Sequence, residues 1–135
     1  MLHSFARPLL LGLLLVLSAG CQKHPSTAML TMRQLEGIWL ISREENRADT
    51  LVYRPNTFAF PPSRGRTGFA IKPYGRFEQF DIAPTDGLAG HPGNWTIDRT
   101  TKLRITLEDG YAPAYTLEIL ALDTIDRVLK VRRLQ

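Results

Sequence analysis

Residues 102–108, Lys-Leu-Arg-Ile-Thr-Leu-Glu, alternate polar and apolar without a fault. Successive side chains of an extended strand point to opposite faces, so this spacing predicts a strand with one face buried and one in water. The same period recurs along the chain. Tyr115, Leu117 and Ile119 alternate with Thr116 and Glu118; Trp95 and Ile97 alternate with Asn94, Thr96 and Asp98; Leu129 and Val131 alternate with Lys130 and Arg132. Residues 38–42 are apolar on both faces, which predicts a strand whose outer face is covered. Further strands are predicted from Leu51 to Tyr53 and on to Phe60, over 67–72, and over 76–82. In the last of these Phe77 and Phe80 have opposite parity, which predicts a bulge or a parity slip.

Turn chemistry separates the runs: Pro55-Asn56, Pro61 to Gly65, Pro73-Tyr74-Gly75, Asp86-Gly87, Asp98 to Thr101 and Asp109-Gly110. No long helical pattern interrupts them. Eight short strands at about ten-residue spacing predict an antiparallel barrel or sandwich. A closed barrel of that size has an interior filled by side chains or holding one small ligand. Closure also removes the unpaired edges that invite aggregation. The longest uncommitted stretch, 83–92, holds two Pro and two Gly and reads as a loop, a place where binding function is commonly carried.

The N-terminus follows a different pattern. A short polar segment with Arg7 precedes an apolar run from Leu9 to Leu17, then Ser18, Ala19 and Gly20. That order is the one of a secretory signal peptide. The run is far short of the roughly 20 apolar residues a membrane-spanning helix needs. Leu17-Ser18-Ala19-Gly20-Cys21 resembles the bacterial lipoprotein lipobox. The resemblance implies cleavage before Cys21 and lipidation of its thiol, the only one in the chain. Anchoring by two or more acyl chains is stable where one is marginal. Gln22, where inner-membrane retention would use Asp, favours the outer membrane, with the domain facing the periplasm. The expected organisation is a signal peptide over 1–20, a polar tether over 21–34, and one domain over 35–135. Residues 29–35 are expected to form one helical turn.

Gly37-Ile38-Trp39 opens the first strand, and Gly93-Asn94-Trp95 echoes it. A Gly two residues before a Trp at that place resembles lipocalins and bacterial lipocalin-like proteins. The resemblance implies a small eight-stranded antiparallel up-and-down barrel over residues 35–134. It also implies that Trp39 closes one end, under an Arg from near the last strand, for which Arg132 and Arg133 are the candidates. The domain is short for a lipocalin, lacks paired cysteines, and shows no C-terminal helix. Trp39, Tyr53, Phe69 and Tyr115 are the candidate ligand-binding residues. Together with Phe58, Phe60 and Phe77, the last three are also candidates to fill the interior.

Charge and motif searches narrow the function. The formal charge is +4, with cations scattered among acids. No concentrated basic stripe points to nucleic acid. Lys130-Val131-Arg132-Arg133 reads as a solvated last strand, with an anionic-headgroup patch as the alternative. His24 lies in the tether and His91 in the 83–92 loop, where a lone His reads as solvated. No HExxH, CxxC or acidic loop predicts a metal, and no G-x-S-x-G predicts a nucleophile. Gly65-Arg66-Thr67-Gly68 lacks the Lys of a phosphate loop and reads as the start of a strand. No cofactor and no enzymatic activity are expected. Two functions remain. One is a lipid-anchored barrel binding a small apolar ligand or envelope component. The other is a protein-interaction module with a filled barrel, such as an envelope-assembly accessory or a hydrolase inhibitor.

Overall fold

The computed structural model describes residues 32–85, 87–98 and 101–135. The signal peptide, Cys21 and the tether up to residue 31 lie outside the described residues. The domain opens with a helical turn, α1 (Met32–Leu35), and continues through eight strands: β1 (Gly37–Ile41), β2 (Leu51–Pro55), β3 (Gly68–Ile71), β4 (Arg76–Ile82), β5 (Leu88–Asp98), β6 (Lys102–Leu107), β7 (Tyr115–Asp123) and β8 (Val128–Leu134). All neighbouring strands are antiparallel, and they close into a barrel. The expected all-β eight-stranded fold is present. Met32 packs against the core, so α1 belongs with the barrel rather than with the tether.

The strand order departs from simple succession at one place. β1 lies between β2 and β3, and β2 pairs with β8. β2 and β3 are both antiparallel to β1 and therefore parallel to each other. The chain must run the length of the barrel between them, as any parallel pair requires. Residues 56–67 make that crossing. It begins where the Asn56 amide bonds to the Ile38 carbonyl and ends where the Ile41 amide bonds to the Thr67 carbonyl. The outer face of β1 is thereby covered in part: Leu40 is half-buried and Ser42 buried, while Ile38 stays exposed.

The inward face follows the predicted alternation. Leu103, Ile105 and Leu107 of β6, Tyr115, Leu117 and Ile119 of β7, and Leu129 and Val131 of β8 are all buried. Trp39, Phe69 and Phe77 complete the filling. At roughly 25 cal/mol per Å² of apolar surface removed from water, such residues dominate the stability of a domain without disulfides.

Two expectations about local structure are corrected. The register of β4 against β3 and β5 is regular, so Phe77 and Phe80 simply face opposite sides, and no bulge lies there. The irregularity sits instead between Ile119 and Ala121, where β7 pairs with β8. Residues 88–92 are strand, not loop, because β5 begins at Leu88. Their alternation is hidden because the inward positions of β5 next to β4 are Ala89, His91 and Gly93 rather than large apolar residues. Gly93 is required there: a Cβ would press on the Thr106 carbonyl and the Leu107 backbone across the ladder.

Candidate functional site

The two ends of the barrel differ. At one end, where the chain enters, Leu35 and Trp39 are both fully buried. The Trp39 indole N–H donates to the Leu35 carbonyl at 2.8 Å, which fixes α1 across the opening. An Arg does cover the indole, but it is Arg127, from the turn before β8, at 5.1 Å from the ring centre. Neither sequence candidate is there. Arg132 has outward parity and bonds Glu118 on β7, while Arg133 lies over the Tyr115 ring at 4.1 Å, at the opposite end. The turn that delivers β8, not β8 itself, lies over the closed end, so the covering Arg comes from position 127.

The opposite end is open. A cavity of about 100 Å³ lies there, bounded by Tyr53 and Leu51 of β2, Phe69 of β3, Gln79 and Asp81 of β4, Tyr115 of β7 and Arg133 of β8, with Thr67 at the rim. Three of the four candidate ligand residues, Tyr53, Phe69 and Tyr115, therefore share one cavity. Trp39 is in the plug of the other end. The floor is aromatic: Tyr53 and Phe69 lie 4.8 Å apart, and Phe69 stacks on Phe77 at 5.6 Å. Of the other aromatic candidates, Phe58 and Phe60 lie outside the barrel on the 56–67 crossing, stacked edge to face at 5.0 Å.

The walls of the mouth are polar. The Tyr115 hydroxyl donates to Gln79 Oε1 at 2.8 Å, and Gln79 Nε2 donates to Asp81 Oδ2 at 2.6 Å. Two neighbouring inward positions of β4, Gln79 and Asp81, thus present an amide and a carboxylate where the strand nearer its start presents Phe77. The Tyr53 hydroxyl makes no hydrogen bond among the described residues, although the side chain is only 9% exposed. Burial pushes its phenol up to about 12; Arg133 acts against that shift and Asp81 adds to it. Burial also raises the Tyr115 phenol, again opposed by Arg133. Both phenols thus stay protonated at neutral pH; the Tyr115 hydroxyl donates to Gln79, and the Tyr53 hydroxyl has its proton free for a further partner.

His91 is not a solvated loop residue. It lies on β5 opposite Gln79, with its side chain 14% exposed. Its Nδ1 is 2.7 Å from Asp109 Oδ2, and its ring stacks on Tyr111 with centroids 3.7 Å apart. The hydrogen bond from His91, followed by one from the Tyr111 amide, lowers the Asp109 carboxyl below its ordinary value. This pair pins the β6–β7 loop to β5. Among the described residues no hydroxyl or thiol hydrogen-bonds to His91, so the pair lacks the nucleophile of a catalytic triad.

Arg66, just before β3, is more than the start of a strand. It is 7% exposed, one of two buried polar residues among those described. It forks onto Glu44 at 2.7 and 2.9 Å, donates to the carbonyls of Ile41 and Pro61 at 3.1 and 2.9 Å, and covers the Phe60 ring at 4.5 Å. It ties the crossing to β1 and to the loop that begins at Ser42. An Arg flanked by glycine and followed by an apolar strand was the only sequence signal for it. Among the described residues, no group of three or more His, Cys, Asp or Glu is gathered as a metal site would require. No protein-family model, curated protein or solved structure matches the chain.

Proposed function

We propose that this protein is a cell-envelope lipoprotein, anchored through Cys21, whose filled barrel is a non-enzymatic binding module for an envelope component engaged at the open end. The filled interior is the observation that carries this reading. Trp39, Phe69, Phe77, Leu103, Ile105 and Leu129 are each at most 3% exposed, and only about 100 Å³ is left at the mouth. Sites that enclose a drug-sized ligand run from roughly 300 to 1,000 Å³. A fatty chain would have to expel the Phe69–Phe77 stack. This favours the interaction module over a carrier of apolar ligands.

The geometry also gives the anchor a meaning. The described chain enters at the closed end, through α1, so an anchor on Cys21 would join the barrel at the end opposite the mouth. The Leu17–Cys21 lipobox resemblance supports lipidation, and Gln22 supports the outer membrane with the domain in the periplasm. A photo-crosslinking side chain at Tyr111 or Leu88, both exposed at the open end, tests the module reading in cells. A single discrete adduct is expected from these positions, and none from Ile125 at the closed end. Equal adducts from both ends, or copurified fatty acid in native mass spectra, would overturn it. Loss of labelled palmitate incorporation in Cys21→Ala tests the anchor.

A further inference from the structure

We infer that the mouth cavity is a binding site for a compact zwitterion of the α-amino-acid class, its carboxylate held by Arg133 and Tyr53 and its ammonium by Asp81. The inference deepens the proposed function by naming what the open end recognises, and it rests on that reading only for the site's biological use.

Three observations lead to it. The first is the Tyr53 hydroxyl. It lines the cavity, its side chain is more than nine-tenths buried, and it has no hydrogen-bond partner among the described residues. The hydroxyl is reached by water rather than sealed from it, so it is a donor on the cavity wall that a ligand's acceptor can take over from solvent. The second is the charge arrangement. Asp81 on β4 and Arg133 on β8 line the same small cavity, on strands that lie across the barrel from each other. Neither forms an ion pair with the other or with any described residue. Asp81 is held instead by a neutral amide, from Gln79 at 2.6 Å, and Arg133 is held by the Tyr115 ring at 4.1 Å. Two opposite charges kept apart by neutral partners, with space between them, are complementary to a molecule that carries both charges.

The third observation is size. A cavity of about 100 Å³ is far below a drug-sized site but well above the 10–15 Å³ of accessible space that one water needs. It suits a ligand of a few heavy atoms. The site is also preorganised. The Tyr115–Gln79–Asp81 chain orients the carboxylate, and the π-face of Tyr115 orients the guanidinium, so little side-chain freedom is lost on binding. A simple anion would meet Asp81 unfavourably, and a simple cation would meet Arg133. Only the zwitterion satisfies both walls.

NMR titration of the mature chain, residues 21–135 with Cys21→Ser, tests this with three probes of similar size: alanine, propionate and ethylamine. Alanine is expected to shift the signals of Tyr53, Gln79, Asp81, Tyr115 and Arg133 and to bind about tenfold tighter than either singly charged probe, as loss of a charge-assisted hydrogen bond implies. Tyr53→Phe should weaken alanine binding severalfold with an unchanged melting temperature. Asp81→Asn should weaken alanine about tenfold and relieve the discrimination against propionate. The inference is overturned if alanine leaves these signals unmoved, if propionate binds as tightly as alanine, or if Tyr53→Phe binds like the parent. Those outcomes leave the crosslinks at Tyr111 and Leu88 untouched, so failure of this ligand class is distinguishable from failure of the module reading.

Discussion

Arg127 lies over the indole of Trp39, its guanidinium carbon 5.1 Å from the ring centre, and holds that position with a backbone φ of +52°. A left-handed conformation is unfavourable for a side chain with a Cβ by about 1 kcal/mol. A cation over an indole returns about 0.5–2 kcal/mol. Arg127→Gly is therefore expected to be close to neutral, because it loses the cation but relieves the backbone, whereas Arg127→Ala should destabilise by about 1 kcal/mol. Trp39→Ala should cost about 3–5 kcal/mol, the usual range for a fully buried large aromatic. Urea denaturation of the variants measures all of these. An Arg127→Gly variant as unstable as Trp39→Ala would contradict the account.

Tyr74 offers the opposite case. It and Gly75 form the tip of the β3–β4 hairpin, with φ of +59° and +74°. The Arg76 amide bonds back to the Pro73 carbonyl. Positive φ at both central residues is the type I′ pattern, which favours Asn-Gly. The Tyr74 side chain is 100% exposed, so nothing is lost by removing it. Tyr74→Asn is expected to raise stability by about 0.5–1 kcal/mol, read as an upward shift in melting temperature.

The carboxyls of Glu44 and Glu45 are held at about 2, below their ordinary value of 4.5, by hydrogen bonds from Arg66 and Arg54 respectively, with burial acting in the opposite sense. A depressed carboxyl stabilises the folded state fully above its unfolded value, and that stabilisation fades as pH falls toward the folded value. Stability should thus hold above about pH 5 and decline between 4.5 and 2. Asp109, through His91, and Asp123, through the amides of Asp126 and Ile125, act in the same direction. The Glu44→Gln/Glu45→Gln variant should show a shallower acid limb. Both glutamates are well exposed, at 45% and 36%, so solvent screening keeps each contribution modest. An unchanged limb would sink the assignment.

Removing Arg66 should hurt far more than removing Glu44. The Arg66 fork satisfies two backbone carbonyls as well as the carboxylate. Its loss abandons acceptors in a covered region, at about 1–3 kcal/mol each. Arg66→Met, which retains apolar bulk beside Phe60, is expected to lower the urea midpoint strongly. Glu44→Gln should lower it only slightly. Equal effects would mean that the ion pair, not the carbonyl contacts, is what matters.

Gly68 pairs with Leu40 of β1 and Phe80 of β4. A Cβ on it would collide with the Trp39 carbonyl and lie 2.9 Å from the Leu40 Cα. These are backbone atoms of a neighbouring strand and cannot swing aside. Gly68→Ala should therefore destabilise by more than about 2 kcal/mol, while Gly87→Ala, with nothing within 4 Å, should be near neutral. Melting curves of the two variants distinguish them.

The sequence by itself determined most of the strands and which side of each is buried, the exceptions being the first half of β5 and the end of β2 at Pro55 rather than Phe60. Alternation is local, and Leu103-Arg104-Ile105-Thr106-Leu107 can satisfy it in only one way. It also held most of the aromatic content of the interior, Tyr53, Phe69, Phe77 and Tyr115, but not the exclusion of Phe58 and Phe60, which the crossing carries outside the barrel. The tertiary structure alone decided what depends on pairing between distant segments. The placement of β1 between β2 and β3 follows from the 56–67 crossing, and no local pattern encodes which side of a sheet a strand joins. The burial of Arg66 and the pairing of His91 with Asp109 depend on loops folding back across the barrel ends. The open end itself was legible only as scattered residues. Tyr53, Gln79, Asp81, Tyr115 and Arg133 belong to four strands, and closure is what brings them around one cavity.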